Sequence, residues 1–204
     1  MRNVPGEGDC MFLAVALAAA TSMGLGGNDA LLRAISRETR AVVAQVLSSE
    51  GTLYIDPNQK EVPASKLLQS AVKQEPGIDT VEEYLDALRK EGREGGLYGG
   101  GPELAVLANV LRRPISIYEV DKPRLKEMVA ESKEDGSKED GVDGSVFPIV
   151  CKGSFGEGIF EDPCLTSIGD SAVLAASNAQ PGAYSWRVNV LVLNVAPGEK
   201  HACV

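Results

Sequence analysis

The sequence predicts an α+β domain in which helices lead and strands follow. Three observations carry this. An Ala/Leu-rich apolar run follows Cys10. Amphipathic helical patterns fill the middle of the first half. Runs of β-branched residues dominate the second half, with no internal repeat anywhere.

The elements follow in order. Asn3 to Asp9 is a turn-rich loop that runs directly into Cys10–Ala20. That segment is apolar on every face, which predicts a helix buried all round, ended by Gly24, Gly26 and Gly27. Asn28 is placed to cap a second helix reaching about Ser48, with Leu31, Ile35, Val42 and Val46 as its expected buried stripe. Residues 63–92 read as two shorter helices, the second opened by a Thr80/Glu83 capping box. After the glycine-rich loop 95–101, Pro102 and Glu103 start a helix whose expected buried stripe is Leu104, Leu107, Ala108 and Leu111.

Strands are expected at Ile115–Val120, at Val146–Cys151 and at Trp186–Val195. Pro148 argues for an edge position or a bulge in the second. The third is apolar on both faces and so should be central, covered on both sides. A turn at 196–200 returns His201–Val204 beside it as a hairpin partner. Trp186, which opens the central strand, is expected in the core.

At 204 residues, the chain suits one domain with one substantial core, spanning 1–204. Residues 129–145 form an acidic, glycine-rich insertion, expected to be solvated and mobile. The net charge of −9 argues against nucleic acid and anionic membrane as partners. No apolar stretch is long enough to span a bilayer, and Asp9 rather than a basic region precedes the longest, so it is not a signal peptide. The four cysteines include no CxxC pair, which fits a reduced, intracellular and cytoplasmic setting. A zinc site from Cys151, Cys164, His201 and Cys203 is formally available, but its spacing matches no familiar pattern, so neither metal nor cofactor is expected.

The chemistry points to Cys10. A cysteine where a glycine-bearing loop enters a helix meets backbone amides without intrahelical partners and the positive end of the helix dipole. Both favour thiolate over thiol. Gly6 and Gly8 let amides converge on one point, as an oxyanion requires. A lone cysteine is more commonly a small buried hydrophobe, and a lone histidine more commonly structural. A thiol nucleophile nevertheless needs an imidazole, and His201 is the only histidine. The 95–101 glycines are followed by no Gly-Lys-Ser/Thr and so do not form a phosphate loop.

These pieces resemble the ovarian-tumour (OTU) family of cysteine proteases and deubiquitinases. Residues 5–15, PGEGDCMFLAV, resemble the signature around its nucleophile, written P-x-D-G-x-C-x-F-x-A-V/I. Residues 99–111 followed by 114–119 resemble its G-G-x-x-E-L-x-A-L-A helix and I-x-V-Y strand. Val188–Leu193, a turn and His201 resemble the closing strand and catalytic histidine. The resemblance implies a papain-like OTU fold, with a small, mostly antiparallel sheet packed between helices. It also implies a monomer acting on ubiquitin or polyubiquitin through Cys10 and His201. Backbone amides of Glu7, Gly8 and Cys10 would form the oxyanion hole, with Tyr98, Gly99, Gly100 and Glu103 along the substrate tail.

Two positions depart from the family pattern. Glu7 stands where Asp is usual, and Cys203 where many members carry Asn or Asp to orient the histidine. Either Asp9 orients His201 or the enzyme is a slow Cys-His dyad, and Glu7 is a further candidate for the catalytic set. Two other functions fit the same pattern: a catalytically silent ubiquitin-binding module, and a papain-like amidase or acyltransferase on another substrate. The chain begins nine residues before Cys10 and stops three after His201, as an excised catalytic domain would.

Overall fold

The structure is a computed structural model and describes residues 4, 8–22, 25, 27–55, 61–127, 148–160, 188–196 and 199–203. For 22, 193–196 and 199–203 it describes the backbone alone. Glu7, Cys164, Trp186 and the 129–145 insertion lie outside the described residues.

Helix α1 (Cys10–Ser22) is the hub of the core. Its composition favours helix, and its lack of a polar face leaves no side to present to water. Phe12, Ala14, Val15 and Leu17 are all buried. Helix α2 (Asp29–Leu47) lies against it. The cap expected at Asn28 is present, its side chain accepting from Leu31 N at 3.0 Å.

The buried face of α2 is not the expected one. Leu32, Ser36, Arg40, Val43, Ala44 and Leu47 point inward, while Leu31, Ile35 and Val46 are half-buried and Val42 is exposed. The stripe is rotated because an arginine and a serine occupy it, and hydrophobicity alone cannot see them.

Strands β1 (Thr52–Leu53) and β2 (Val62–Pro63) form a small antiparallel pair that the sequence did not announce. Helices α3 (Ala64–Gln74) and α4 (Val81–Arg89) follow. The Thr80/Glu83 capping box opens α4 as expected, with Glu83 N donating to Thr80 Oγ1 at 3.2 Å and Thr80 N to Glu83 Oε2 at 3.1 Å. A 3₁₀ turn at Gly92–Glu94 leads to α5 (Gly101–Leu111), with Leu104, Leu107 and Ala108 buried and Leu111 half-buried. Arg112, in the left-handed region at φ 54°, ends α5.

The main sheet has the order β4-β3-β5-β6, where β3 is Ile115–Val120, β4 Ile149–Phe155, β5 Val188–Ala196 and β6 Glu199–Cys203. β3 pairs antiparallel with β4 and parallel with β5, and β5 pairs antiparallel with β6. The result is an α+β fold with a small, mostly antiparallel sheet. β4 is an edge strand, as Pro148 indicated, although it begins after that proline.

β5 is central, but its faces are unequal: Val188 and Val190 are buried, Asn189 is exposed and Leu191 half-buried. Helix α1 packs against both β5 and β6, and α5 against β4. That packing makes α1 and the C-terminal hairpin neighbours.

Candidate active site

Cys10 is the first residue of α1 and is buried. The carbonyl of Asp9 accepts the first helical bond, from Leu13 N at 2.8 Å. Gly8 precedes them at φ +87°, a conformation that side chains rarely adopt. A Cβ on Gly8 would sit 2.6 Å from the Cα of Gly92. The glycine is therefore required both by its dihedral angle and by the backbone passing beside it.

What holds this loop is Arg40, a residue the sequence reading did not single out. Its side chain is fully enclosed. Nε donates to Asp9 Oδ1 at 2.7 Å, and Nη2 stands 2.6 Å from the same oxygen. Nη2 also donates to Gly8 O at 3.0 Å. Nη1 donates to Leu88 O at 3.1 Å and to Leu97 O at 3.0 Å. Four hydrogen bonds and the ion pair with Asp9 engage all three nitrogens of the guanidinium. Its plane also lies 4.3 Å from the centre of the Phe12 ring. The sequence signals were present but weak: an arginine in phase with Leu32, Ser36 and Val43, and an aspartate immediately before the cysteine.

Asp9 is thereby committed. Besides Arg40, both its oxygens accept from Gly92 N at 3.1 Å. The geometry makes Asp9 a tether between the cysteine loop, α2 and the 3₁₀ turn. The side chain of His201, toward which an orienting role was expected for Asp9, lies outside the described residues.

The glycine segment before α5 runs beside the first turn of α1. A Cβ on Gly99 would meet Met11 Cε at 1.8 Å and Phe12 Cε2 at 3.1 Å. A side chain at Gly99 would displace the Met11 methyl, the end of a flexible side chain, and crowd the Phe12 ring. Tyr98 is 64% exposed. Glu103 is placed differently from expectation. It is buried, accepts from the Tyr84 hydroxyl at 2.5 Å and from Gly100 N at 2.7 Å. It shapes the Gly99–Gly100 turn from below instead of flanking a substrate. Burial first, and then the neighbouring Glu103 carboxylate, push the Tyr84 phenol far above its usual range, so it remains a proton donor.

His201 lies on β6, paired in register with Leu193 of β5, and Cys203 pairs with Leu191. Because α1 packs on β5 and β6, the strand carrying His201 and the helix begun by Cys10 are neighbours. The zinc grouping is broken by strand order. Cys151 is on β4, at the opposite edge of the sheet from β6. Three strand spacings, about 14 Å, separate the two edges. Among the described residues no cluster of three or more His, Cys, Asp or Glu could hold a metal ion. Nor is any described helix long and apolar enough to cross a membrane.

A cysteine thus heads a buried helix, with Gly8 held by Arg40 and a second glycine segment alongside. The family model described as OTU-like cysteine protease matches residues 5–147, and the chain belongs to that family. The matched span holds Cys10, Arg40, Gly99 and Glu103; β4, β5 and β6 lie beyond it. No curated protein and no solved structure gave a significant match.

Proposed function

We propose that this cysteine protease domain is a deubiquitinase that hydrolyses isopeptide bonds at the ubiquitin C-terminus. His201 takes the proton of the Cys10 thiol, and the sulfur attacks the carbonyl of the terminal glycine. The tetrahedral oxyanion is held by backbone amides of Glu7, Gly8 and Cys10. Collapse expels the lysine amine, which leaves with the proton from His201, and water then cleaves the acyl-enzyme to regenerate the thiol.

The observation that carries this reading is the placement of Gly99 against the side chains of Met11 and Phe12, the two residues after Cys10. A glycine-lined segment alongside the first turn of α1 is a track suited to a substrate tail that itself ends in glycines. Tyr98, exposed at the mouth of that track, and Gly100 would line it. The assignment is tested by release of a fluorophore from the C-terminus of ubiquitin, compared with release from small peptide amides. Turnover of the small amides with indifference to ubiquitin favours the amidase or acyltransferase reading.

A second reading is favoured by one residue. Cys203, a weak acceptor, stands on β6 where many relatives place the Asn or Asp that orients the histidine. A silent module that binds ubiquitin as a scaffold would tolerate this substitution. Such a module binds ubiquitin but forms no covalent adduct with a ubiquitin C-terminal electrophile.

A further inference from the structure

We infer that Arg40 is a positioning residue for catalysis, locking the peptide that follows Gly8 in one orientation beneath Cys10. The inference rests on the reading of Cys10 as nucleophile.

The geometry is specific to a guanidinium. Nη2 holds the Gly8 carbonyl at 3.0 Å, and the same group, through Nε and Nη2, grips the Asp9 carboxylate. The two acceptors flank a single peptide unit. In a trans peptide the C=O and the following N–H point in opposite directions. Holding the Gly8 oxygen toward Arg40 therefore turns the next N–H away from it. Glycine at φ +87° is permissive enough to let that peptide rotate, so its own conformational preference does not fix it. The lock must come from outside the loop, and Arg40 supplies it.

Nη1 extends the lock. It holds Leu97 O at 3.0 Å, the residue before Tyr98 and Gly99. One rigid side chain thus spans the cysteine loop and the proposed substrate track, fixing their separation. Lysine cannot replace it. A lysine has three donors on a flexible stem, with no planar fork to grip a carboxylate and two carbonyls together. Burial of this much charge would be costly for fold alone, since apolar side chains of similar size commonly serve as well or better.

The test compares the wild-type chain with Arg40→Lys and Arg40→Met. Hydrolysis is measured per active site, with amide resonances of Gly8, Asp9 and Cys10 recorded alongside. Arg40→Lys should lower kcat by on the order of 100-fold, the scale of a ~1 Å misplacement of the reacting groups, with KM changed by less than about 3-fold. Its loop amides should broaden or split while those of Val43 and Leu107 stay sharp. A lysine variant with wild-type kcat and a single set of loop resonances would overturn the inference. So would a uniform loss across all amides, which marks a purely structural arginine.

If the wild-type chain does not act on ubiquitin while the loop amides still split in Arg40→Lys, the substrate reading fails and the positioning role stands. If neither variant folds, the wild-type guanidinium decides. Its N–H resonances should exchange far more slowly than those of exposed Arg89, and equal exchange would refute the lock.

Discussion

Tyr84 and Glu103, on α4 and α5, are joined by a buried hydrogen bond of 2.5 Å from phenol to carboxylate. Glu103 uses its other oxygen to hold Gly100 N, so the bond ties the packing of α4 to the glycine track beside Cys10. Tyr84→Phe should destabilise the fold by about 1.5–3 kcal/mol, the range for hydrogen bonds to charged groups. Urea unfolding of the two chains checks this, and a change below about 0.5 kcal/mol would show the bond to be incidental.

The same pair predicts an alkaline response. The folded Tyr84 phenol titrates above its unfolded value, near 10. Its contribution to stability is therefore fully present below about pH 10 and is lost as pH rises toward the folded value. Unfolding free energy should fall more steeply above pH 10 in the wild-type chain than in Tyr84→Phe. Tyrosinate absorbance followed on the same samples identifies the group.

At acid pH the Thr80/Glu83 box behaves in the opposite sense. The Asp79 amide most strongly, then the Thr80 hydroxyl and amide, hold the Glu83 carboxyl below its usual range. Its stabilisation is present above the unfolded value, about 4.3, and is lost as pH falls through the depressed folded value. Glu83→Gln should flatten this part of the acid limb of the stability curve. An unchanged limb in thermal unfolding between pH 5 and pH 2, on the order of that window, would contradict it.

Gly8→Ala should be among the most damaging small substitutions. It places a side chain at φ +87° and puts a Cβ 2.6 Å from backbone at Gly92. The dihedral alone costs about 1–2 kcal/mol, and the clash cannot be relieved by turning a side chain. Hydrolysis should fall at least 10-fold, on the scale of misplacing an oxyanion donor. Gly77, also at positive φ but with no atom within 4 Å, provides the comparison: Gly77→Ala should carry the dihedral cost alone and leave hydrolysis intact.

The parts of the fold legible in the sequence were those decided locally. Asn28 capping α2, the Thr80/Glu83 box and the apolar body of α1 each depend on residues within a turn or two. Strand pairing at the C-terminus was also legible, since a turn between two β-rich runs leaves few alternatives. The Arg40 clamp was not. Its partners are Asp9, Gly8, Leu88 and Leu97, all distant in sequence, and burial of a charge contradicts the hydrophobic pattern used to choose the inner face of α2. The place of Glu103 escaped for a similar reason: its Tyr84 partner comes from another helix. At the site, the cysteine at a helix start was legible, whereas what holds its loop needed three dimensions.

Asp9→Ala separates these two levels. It leaves the helix-forming sequence untouched and removes the anion facing a fully enclosed Arg40. Breaking a buried pair from one side costs roughly 3–5 kcal/mol, so the midpoint of urea unfolding should fall sharply. Retention of wild-type stability would mean that Asp9 and Arg40 are not paired in solution.

The central claim is that Cys10 is the nucleophile for a ubiquitin-derived carbonyl. Its most direct test is reaction with ubiquitin bearing a C-terminal electrophile, followed by mass-spectrometric mapping of the modified cysteine. The account predicts one adduct, on Cys10, absent from Cys10→Ala. Labelling at Cys151, Cys164 or Cys203, or an adduct that survives Cys10→Ala, would contradict it.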